Sequence, residues 1–399
     1  MKDTYDVTPS PRVLRMLGEI DFKPWQCFAE LIDNSIDSFK NATIENKKIL
    51  KPVVEIKLPV KGDMFNDDRI ILRDNGVGMS NEDLNNCIRA GYSGNDPVDK
   101  LGLFGMGFNI ATARLGIKTE VWTTRFEDAE WHGASIDFDQ LEKASTFSVP
   151  RLTKAKNSPH EHGTEIIITK LRKETTQPLF DGKFKAPLKF QFGKIYGKFM
   201  ADENLSIIVD NQEVRPFRHC IWGENRSVKY LNEDVPAIIK FEFKLGPKNF
   251  CKRCWLWLSP EEKICNNCQT ESAVVSRDRR VKGWIGIQRY FDLNEYGVDF
   301  IRNGRKILIG DKSIFNWLNP DTMQEELEYP IDMIGREGGR IVGEVEIDHV
   351  RVSHQKDAFQ TGDPEWQQTI KLIRGESPLR PNIAERYKLP PNESPLAKL

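Results

Sequence analysis

Three short segments hold the residue types that chemistry on a nucleoside triphosphate needs. In Glu30-Leu31-Ile32-Asp33-Asn34-Ser35-Ile36-Asp37, polar residues Glu30, Asn34 and Asp37 recur at i, i+4 and i+7, so a helix would set them on one face. Glu30 is suited to orienting and deprotonating an attacking water. Asn34, one turn on, offers a neutral amide oxygen to Mg²⁺, a hard ion that binds oxygen and keeps several waters. In Asp74-Asn75-Gly76-Val77-Gly78-Met79, Asp74 can accept from the amino group of an adenine, and Gly78 permits close approach of the backbone to the base. In Leu101–Phe108, LGLFGMGF, the glycines Gly102, Gly105 and Gly107 leave backbone N–H groups to wrap phosphates. A helix beginning at Phe108 would add its positive end. No GxxxxGK[ST] run occurs, which excludes a P-loop.

Each segment alone has an ordinary explanation: a solvated helix face, a hairpin turn and a flexible glycine connection. Their order and spacing in one chain favour a single site.

The elements that must position them follow from periodicity. Phe28, Leu31, Ile32, Ile36 and Phe39 have helical spacing, which predicts an amphipathic helix over Trp25–Lys40. Val53–Leu58 and Arg69–Arg73 read as strands, the second ending at the Asp74-Asn75-Gly76 turn. A glycine-rich stretch runs from Gly91 to Gly116, and strands are expected at Lys118–Thr124 and Thr164–Leu171. Residues 183–199 are basic and aromatic, and a strand, a turn at Asp210-Asn211 and a second strand follow. The expected division is a nucleotide-binding domain over 1–175, a second domain over 176–375 and a proline-rich extended tail over 376–399.

Cys251, Cys254, Cys265 and Cys268 form CxxC-x10-CxxC. Two CxxC turns present four thiolates to tetrahedral Zn²⁺, so a structural zinc ribbon inserted over 245–272 is expected, with no open coordination position. Cys27, Cys87 and Cys220 are scattered and read as reduced.

ELIDNSID, DNGVGM and LFGMGF resemble the N, G1 and G2 boxes of the Bergerat-fold (GHKL) ATPases, and His162-Gly163-Thr164 resembles their later Gly-Thr element. The resemblance implies an α+β chain: helices layered on a mixed sheet in the ATPase domain, then a transducer-type α/β domain carrying the zinc ribbon. It assigns Glu30 as base, Asn34 as Mg²⁺ ligand, Asp74 as adenine acceptor, Met79 as a base-packing residue and Thr164 as a hydroxyl that helps hold adenine. Asp37, Asn75, Gly76 and Gly78 would shape the pocket. Gly102, Leu103, Phe104, Gly105, Met106 and Gly107, in a lid over 91–107, and Phe108 after it would contact the nucleotide. A histidine kinase would have asparagine where Glu30 stands, so the match points to hydrolysis.

Phe192–Phe217 resembles the start of the transducer in MutL and MORC proteins, and Gly297–Arg305 its strand–turn element. Val350–Phe359, VRVSHQKDAF, is similar to the MORC element that carries a lysine, with Ser353 and Gln355 in place of its usual residues. By that match Lys356 neutralises charge on the γ-phosphate as it develops. The resemblance further implies an ATP-dependent homodimer acting as a clamp. DNA is the expected client and a nuclease is one candidate for a separate partner. A chaperone-like or signalling clamp on protein is the alternative, and a nucleotide-gated scaffold without turnover is a third reading.

A formal net charge of -1, with 39% hydrophobic and 29% charged residues, gives no global attraction to nucleic acid. DNA contact would need a local patch, for which Lys183–Lys198 and Arg277, Arg279, Arg280 and Lys282 are the candidates. No apolar run approaches the roughly 18 residues that span a bilayer, and Met1–Ser10 lacks a signal-peptide core. A cytoplasmic protein is expected, nuclear if eukaryotic.

Overall fold

The computed structural model describes residues 4–399 except 6, 8, 45, 46, 48, 61–67, 93–98, 103, 104, 231 and 331–337. Internal contacts divide the chain into two compact units, Met1–Asp96 with Lys100–Phe217, and Pro97–Asp99 with Arg218–Leu399.

The first unit layers helices on one mixed sheet. Its elements are α1 (Arg12–Met16), α2 (Pro24–Ile44), β1 (Val53–Lys57), β2 (Ile70–Asp74), α3 (Asn81–Ile88), α4 (Gly107–Leu115), β3 (Gly116–Thr124), β4 (Glu130–Asp137), α5 (Phe138–Ala144), β5 (Arg151–Ala155), β6 (Gly163–Leu171), α6 (Lys173–Thr176), α7 (Gly182–Asp202), β7 (Ser206–Val209) and β8 (Gln212–Glu213). The strand order is β5-β4-β3-β6-β2-β1-β7-β8. Proline at the first position of α2 starts that helix without losing a needed donor. Its apolar stripe, Phe28, Leu31, Ile32, Ile36 and Phe39, is buried against α4 and α7. The opposite face is not solvated: Glu30, Asp33 and Asp37 are buried too.

The expected boundary near residue 175 falls inside this unit. β7 pairs in parallel with β1, Val54 opposite Ile207, and a parallel neighbour requires a long crossover, here α7. Phe192, Ile195, Tyr196 and Phe199 of α7 are buried, and the Tyr196 hydroxyl lies 2.9 Å from the Ala29 carbonyl and 2.8 Å from Asp33 Oδ1. The basic-aromatic stretch is therefore mainly a core-facing helix. β7 turns into β8 through Asp210 and Asn211, both left-handed (φ +48° and +62°), the geometry that a two-residue hairpin prefers.

The second unit is rich in β-structure: β9 (Ser227–Tyr230), β10 (Glu233–Pro236), β11 (Ile238–Cys251), β12 (Leu256–Leu258), β13 (Val274–Asp292), β14 (Gly297–Arg302), β15 (Arg305–Asp311), β16 (Asn316–Leu318), β17 (Glu325–Leu327), β18 (Gly339–Glu346), α8 (Pro364–Arg374) and α9 (Pro381–Arg386). Its main sheet runs β12-β11-β13-β18-β14-β15. Residues 376–399 are not an extended tail. Leu396 is buried, its N–H bonds to the Ile373 carbonyl, and the Asn392 side chain donates to the carbonyls of Arg374 and Ser377 at the end of α8.

Within this unit His349 is 5% exposed, and burial, then the charge of Arg279, push its pKa down to about 4. Below the ordinary value near 6.5, the unfolded chain takes up a proton that the folded chain refuses. Stability then rises with pH between about 4 and 6.5 and is lost as pH falls. The second unit should lose about 2 kcal/mol through this residue between pH 7.5 and pH 5. Denaturant unfolding at the two pH values should show that increment in the wild type and not in His349→Gln; equal losses would disprove it.

Candidate nucleotide pocket and cysteine centre

The first unit brings the sequence-predicted groups together around α2. Asp74 ends β2 opposite Thr164 in β6, and its side chain is 5% exposed. Its Oδ2 accepts from Ser35 Oγ at 2.9 Å; its Oδ1 accepts from the N–H of Gly76 at 2.9 Å and of Thr164 at 3.3 Å. Burial raises its pKa, against the hydrogen bonds from Gly76, Ser35 and Thr164. A carboxylate oxygen has two lone pairs, so Oδ2 can still accept from an exocyclic amino group.

The backbone around Asp74 is packed to a close tolerance. Gly78 has φ +75°, and a Cβ there would lie 2.1 Å from the Thr124 carbonyl oxygen. Thr123 Oγ1 accepts from Met79 N at 2.8 Å and donates to the Gly163 carbonyl at 3.1 Å, tying the turn to β6. His162, stacked on Phe126, donates from Nδ1 to the Gly76 carbonyl at 2.7 Å.

At the other end of the site, Glu30 faces the start of α4. A Cβ on Gly107 would come within 2.1 Å of Glu30 Oε2, so only glycine lets this carboxylate stand there. α4 starts at Gly107, one residue before the expected Phe108. Its N-cap residue, Met106, makes no side-chain cap and no acidic residue occupies the first turn, leaving a positive helix end beside Glu30. Asn34 is half-buried one turn after Glu30. An amide oxygen, a carboxylate and an uncapped helix end suit Mg²⁺ and a polyphosphate.

Several expected contacts are engaged otherwise. Asp37 accepts from the N–H of Leu101 at 3.0 Å and of Gly102 at 2.7 Å, so it anchors the loop and the Gly102 N–H is not available to a phosphate. Burial raises the pKa of Asp37, against those two hydrogen bonds. Asn75 braces β1, accepting from Val53 N at 2.7 Å and donating to the Lys51 carbonyl at 2.9 Å. Phe108 is buried in the core. Gly105 is left-handed (φ +65°) and its carbonyl accepts from Gly91 N. Leu103 and Phe104 lie outside the described residues. Lys356 belongs to the second unit, 4% exposed on a turn at φ +52° closed by its N–H bond to the Ser353 carbonyl. Sequence reasoning missed Ser35, Thr123 and Tyr196. Ser35 had a local signal, a small polar residue at a buried turn of α2; the other two act through partners far away in sequence.

The four cysteines converge at the tip of the β11–β13 ribbon. Their Sγ atoms all lie within 4.8 Å of one another, with Cys251 and Cys268 3.7 Å apart. A tetrahedron of Zn–S bonds near 2.3 Å has edges of about 3.8 Å, so the donor set fits Zn²⁺. Burial opposes ionisation of Cys268, but hydrogen bonds from Thr270 and from Cys254 and Cys251 bring it down to about 6. His219, Asp299 and Glu344 also converge, but the Lys306 ammonium lies 2.6 Å from Asp299 and 2.5 Å from Glu344 and takes the place of a cation. The basic residues of β13 divide by strand period: Arg280 and Lys282 are exposed on one face, while Arg277 and Arg279 lie on the other, half-buried, Arg279 over the Trp257 ring.

No helix among the described residues is long and apolar enough to cross a membrane. Residues 22–166 match the family model described as histidine kinase-, DNA gyrase B-, and HSP90-like ATPase. The chain is also similar to Protein MICRORCHIDIA 4 of Arabidopsis thaliana, 32% identical over 98 residues, which are 24% of this chain and 11% of that protein. With Protein MICRORCHIDIA 3 of the same plant it is 33% identical over 99 residues, 24% of this chain and 15% of the relative. The matched stretch is thus a small part of either relative. The domain at residues 22–166 belongs to the histidine kinase-, DNA gyrase B- and HSP90-like ATPase family, with MICRORCHIDIA proteins among its relatives.

Proposed function

We propose that the first unit binds Mg-ATP and hydrolyses it, and that ATP gates a homodimeric clamp acting on DNA. The observation that carries the hydrolytic reading is the Glu30 carboxylate set against Gly107 at the uncapped start of α4. When bound, Mg²⁺ would offset phosphate charge from Asn34. The chain's own part is to orient a water at Glu30, hold adenine at Asp74 and Thr164 with Met79 against the base, and surround phosphate with the first N–H groups of α4. Lys356 is assigned, on the sequence resemblance, to answer the developing γ-phosphate charge. The cysteine centre holds a structural Zn²⁺.

DNA as client is supported by the DNA gyrase B-like family and by the exposed Arg280 and Lys282. Light scattering and salt-dependent gel shifts with and without a non-hydrolysable ATP analogue test the clamp. The analogue should double the mass and strengthen DNA retention, with affinity falling steeply as salt rises. A monomer in both states removes the clamp, and negligible DNA affinity at low salt in both states favours a protein client.

Gly107→Ala gives a separate check on the cradle. Its methyl displaces Glu30 by an ångström or more, and misplacement on that scale costs about 10²-fold in rate. ATP turnover at saturating substrate should fall by that factor, and an unchanged kcat would separate Glu30 from the reaction.

A further inference from the structure

An imidazole and an exposed aromatic ring meet at the Asp74 end of the candidate pocket, within the first unit. Phe126, on the turn between β3 and β4, is 48% exposed, yet its ring stacks on that of half-buried His162 with centroids 3.9 Å apart and planes 28° apart. Asp128 closes the same turn: its Oδ2 accepts from Arg125 N at 2.9 Å and its Oδ1 from the Arg125 guanidinium at 3.1 Å. His162 Nδ1 lies 2.7 Å from the Gly76 carbonyl oxygen. A carbonyl oxygen only accepts, so Nδ1 carries the proton. Gly163, next in the chain, has φ +119°, and a Cβ there would lie 2.1 Å from the Asp74 carbonyl oxygen. That close approach lets residues 162–164 grip the turn after β2 at two places. Thr164 N donates to Asp74 Oδ1 at 3.3 Å, and His162 holds the carbonyl of Gly76, whose own N–H donates to the same Oδ1 at 2.9 Å. Fixing Oδ1 in this way fixes the direction in which Oδ2 can accept.

We propose that His162, braced by the Phe126 ring, is a positioning residue that aims the Asp74 carboxylate at the amino group of the base and so sets the preference for adenine. The proposal rests on the reading of Asp74 as the adenine acceptor. A recognition group held to its geometry by a second layer of hydrogen bonds discriminates better than one free to turn. A site built to bond an amino group rejects an analogue that lacks it, and loosening the acceptor narrows that difference. Glu30 stands at the other end of the site, so the pair acts on base recognition and not on the chemical step.

The test compares ATP with purine riboside triphosphate, which is ATP without the amino group, by calorimetric titration into the full chain, with kcat and KM for ATP measured in parallel. The wild type should prefer ATP by about tenfold or more, the worth of one hydrogen bond to a charged group. His162→Phe keeps an aromatic ring on Phe126 and removes the donor. It should weaken ATP about fivefold, narrow the preference by a similar factor and leave kcat within about twofold. His162→Asn, whose amide can donate to the same carbonyl, should restore most of the preference. Phe126→Ala, at an exposed position, should move affinity and preference in the same direction by about threefold, and it decides the matter if His162→Phe fails to fold. Unchanged preference in the folded variants, equal weakening of both nucleotides, or a fall in kcat with affinity intact would overturn the proposal. A wild type that binds the two nucleotides equally would instead remove Asp74 as the adenine acceptor, and the proposal with it.

Discussion

Glu30→Ala should lower ATP turnover by roughly 10²- to 10⁴-fold, the usual contribution of a positioned general base, with ATP still bound. The carboxylate is buried beside the start of α4. The proposed affinity determinants lie elsewhere: Asp74 is held by Ser35, Gly76 and Thr164, and α4 starts at Gly107 with no side-chain cap from Met106. The variant should therefore separate kcat from binding. Single-turnover hydrolysis and equilibrium titration of a fluorescent ATP analogue measure the two. If ATP gates dimerisation, the same variant should accumulate as the ATP-bound dimer in light scattering. Wild-type hydrolysis would remove Glu30 from its role, and joint loss of binding and turnover would make it a binding residue.

Cys265→Ser should empty the metal centre. Losing even an outer-shell partner costs about 10–100-fold in metal affinity, and loss of a direct thiolate should exceed that. The protein around the centre has little else to hold it: the local core is Cys251, Leu258 and Cys265, with Ala273 and Val274 packed on it. A segment that small folds only with a staple. Elemental analysis should find about one zinc per chain in the wild type and none in the variant, and limited proteolysis should then cut between residues 252 and 271. Strands β11 and β13 pair from Ile238↔Gly286 to Cys251↔Val274, so damage should stay near the tip. Retained zinc, or an uncut tip after chelation of the wild type, would show that the thiols are not the staple.

The sequence by itself determined which residue types the candidate pocket offers and at what spacing, because helix and turn periods are local. Glu30 and Asn34 are one helical turn apart whatever surrounds them. The two CxxC turns likewise bring thiols together over a short loop. Tertiary structure alone decided what each polar atom meets. Asp37 and Asn75 sit inside the recognised motifs, yet one anchors Leu101 and Gly102 and the other braces β1, because their partners are distant in sequence. The boundary moved from 175 to after Phe217 for the same reason: the pairing of β7 with β1 spans about 150 residues and leaves no local mark. The basic residues of β13 parted onto two faces, and the last two dozen residues folded back on α8, since charge and proline content do not specify which surface is covered. Residue type and short spacing set what the site could do; long-range packing set which groups were left to do it.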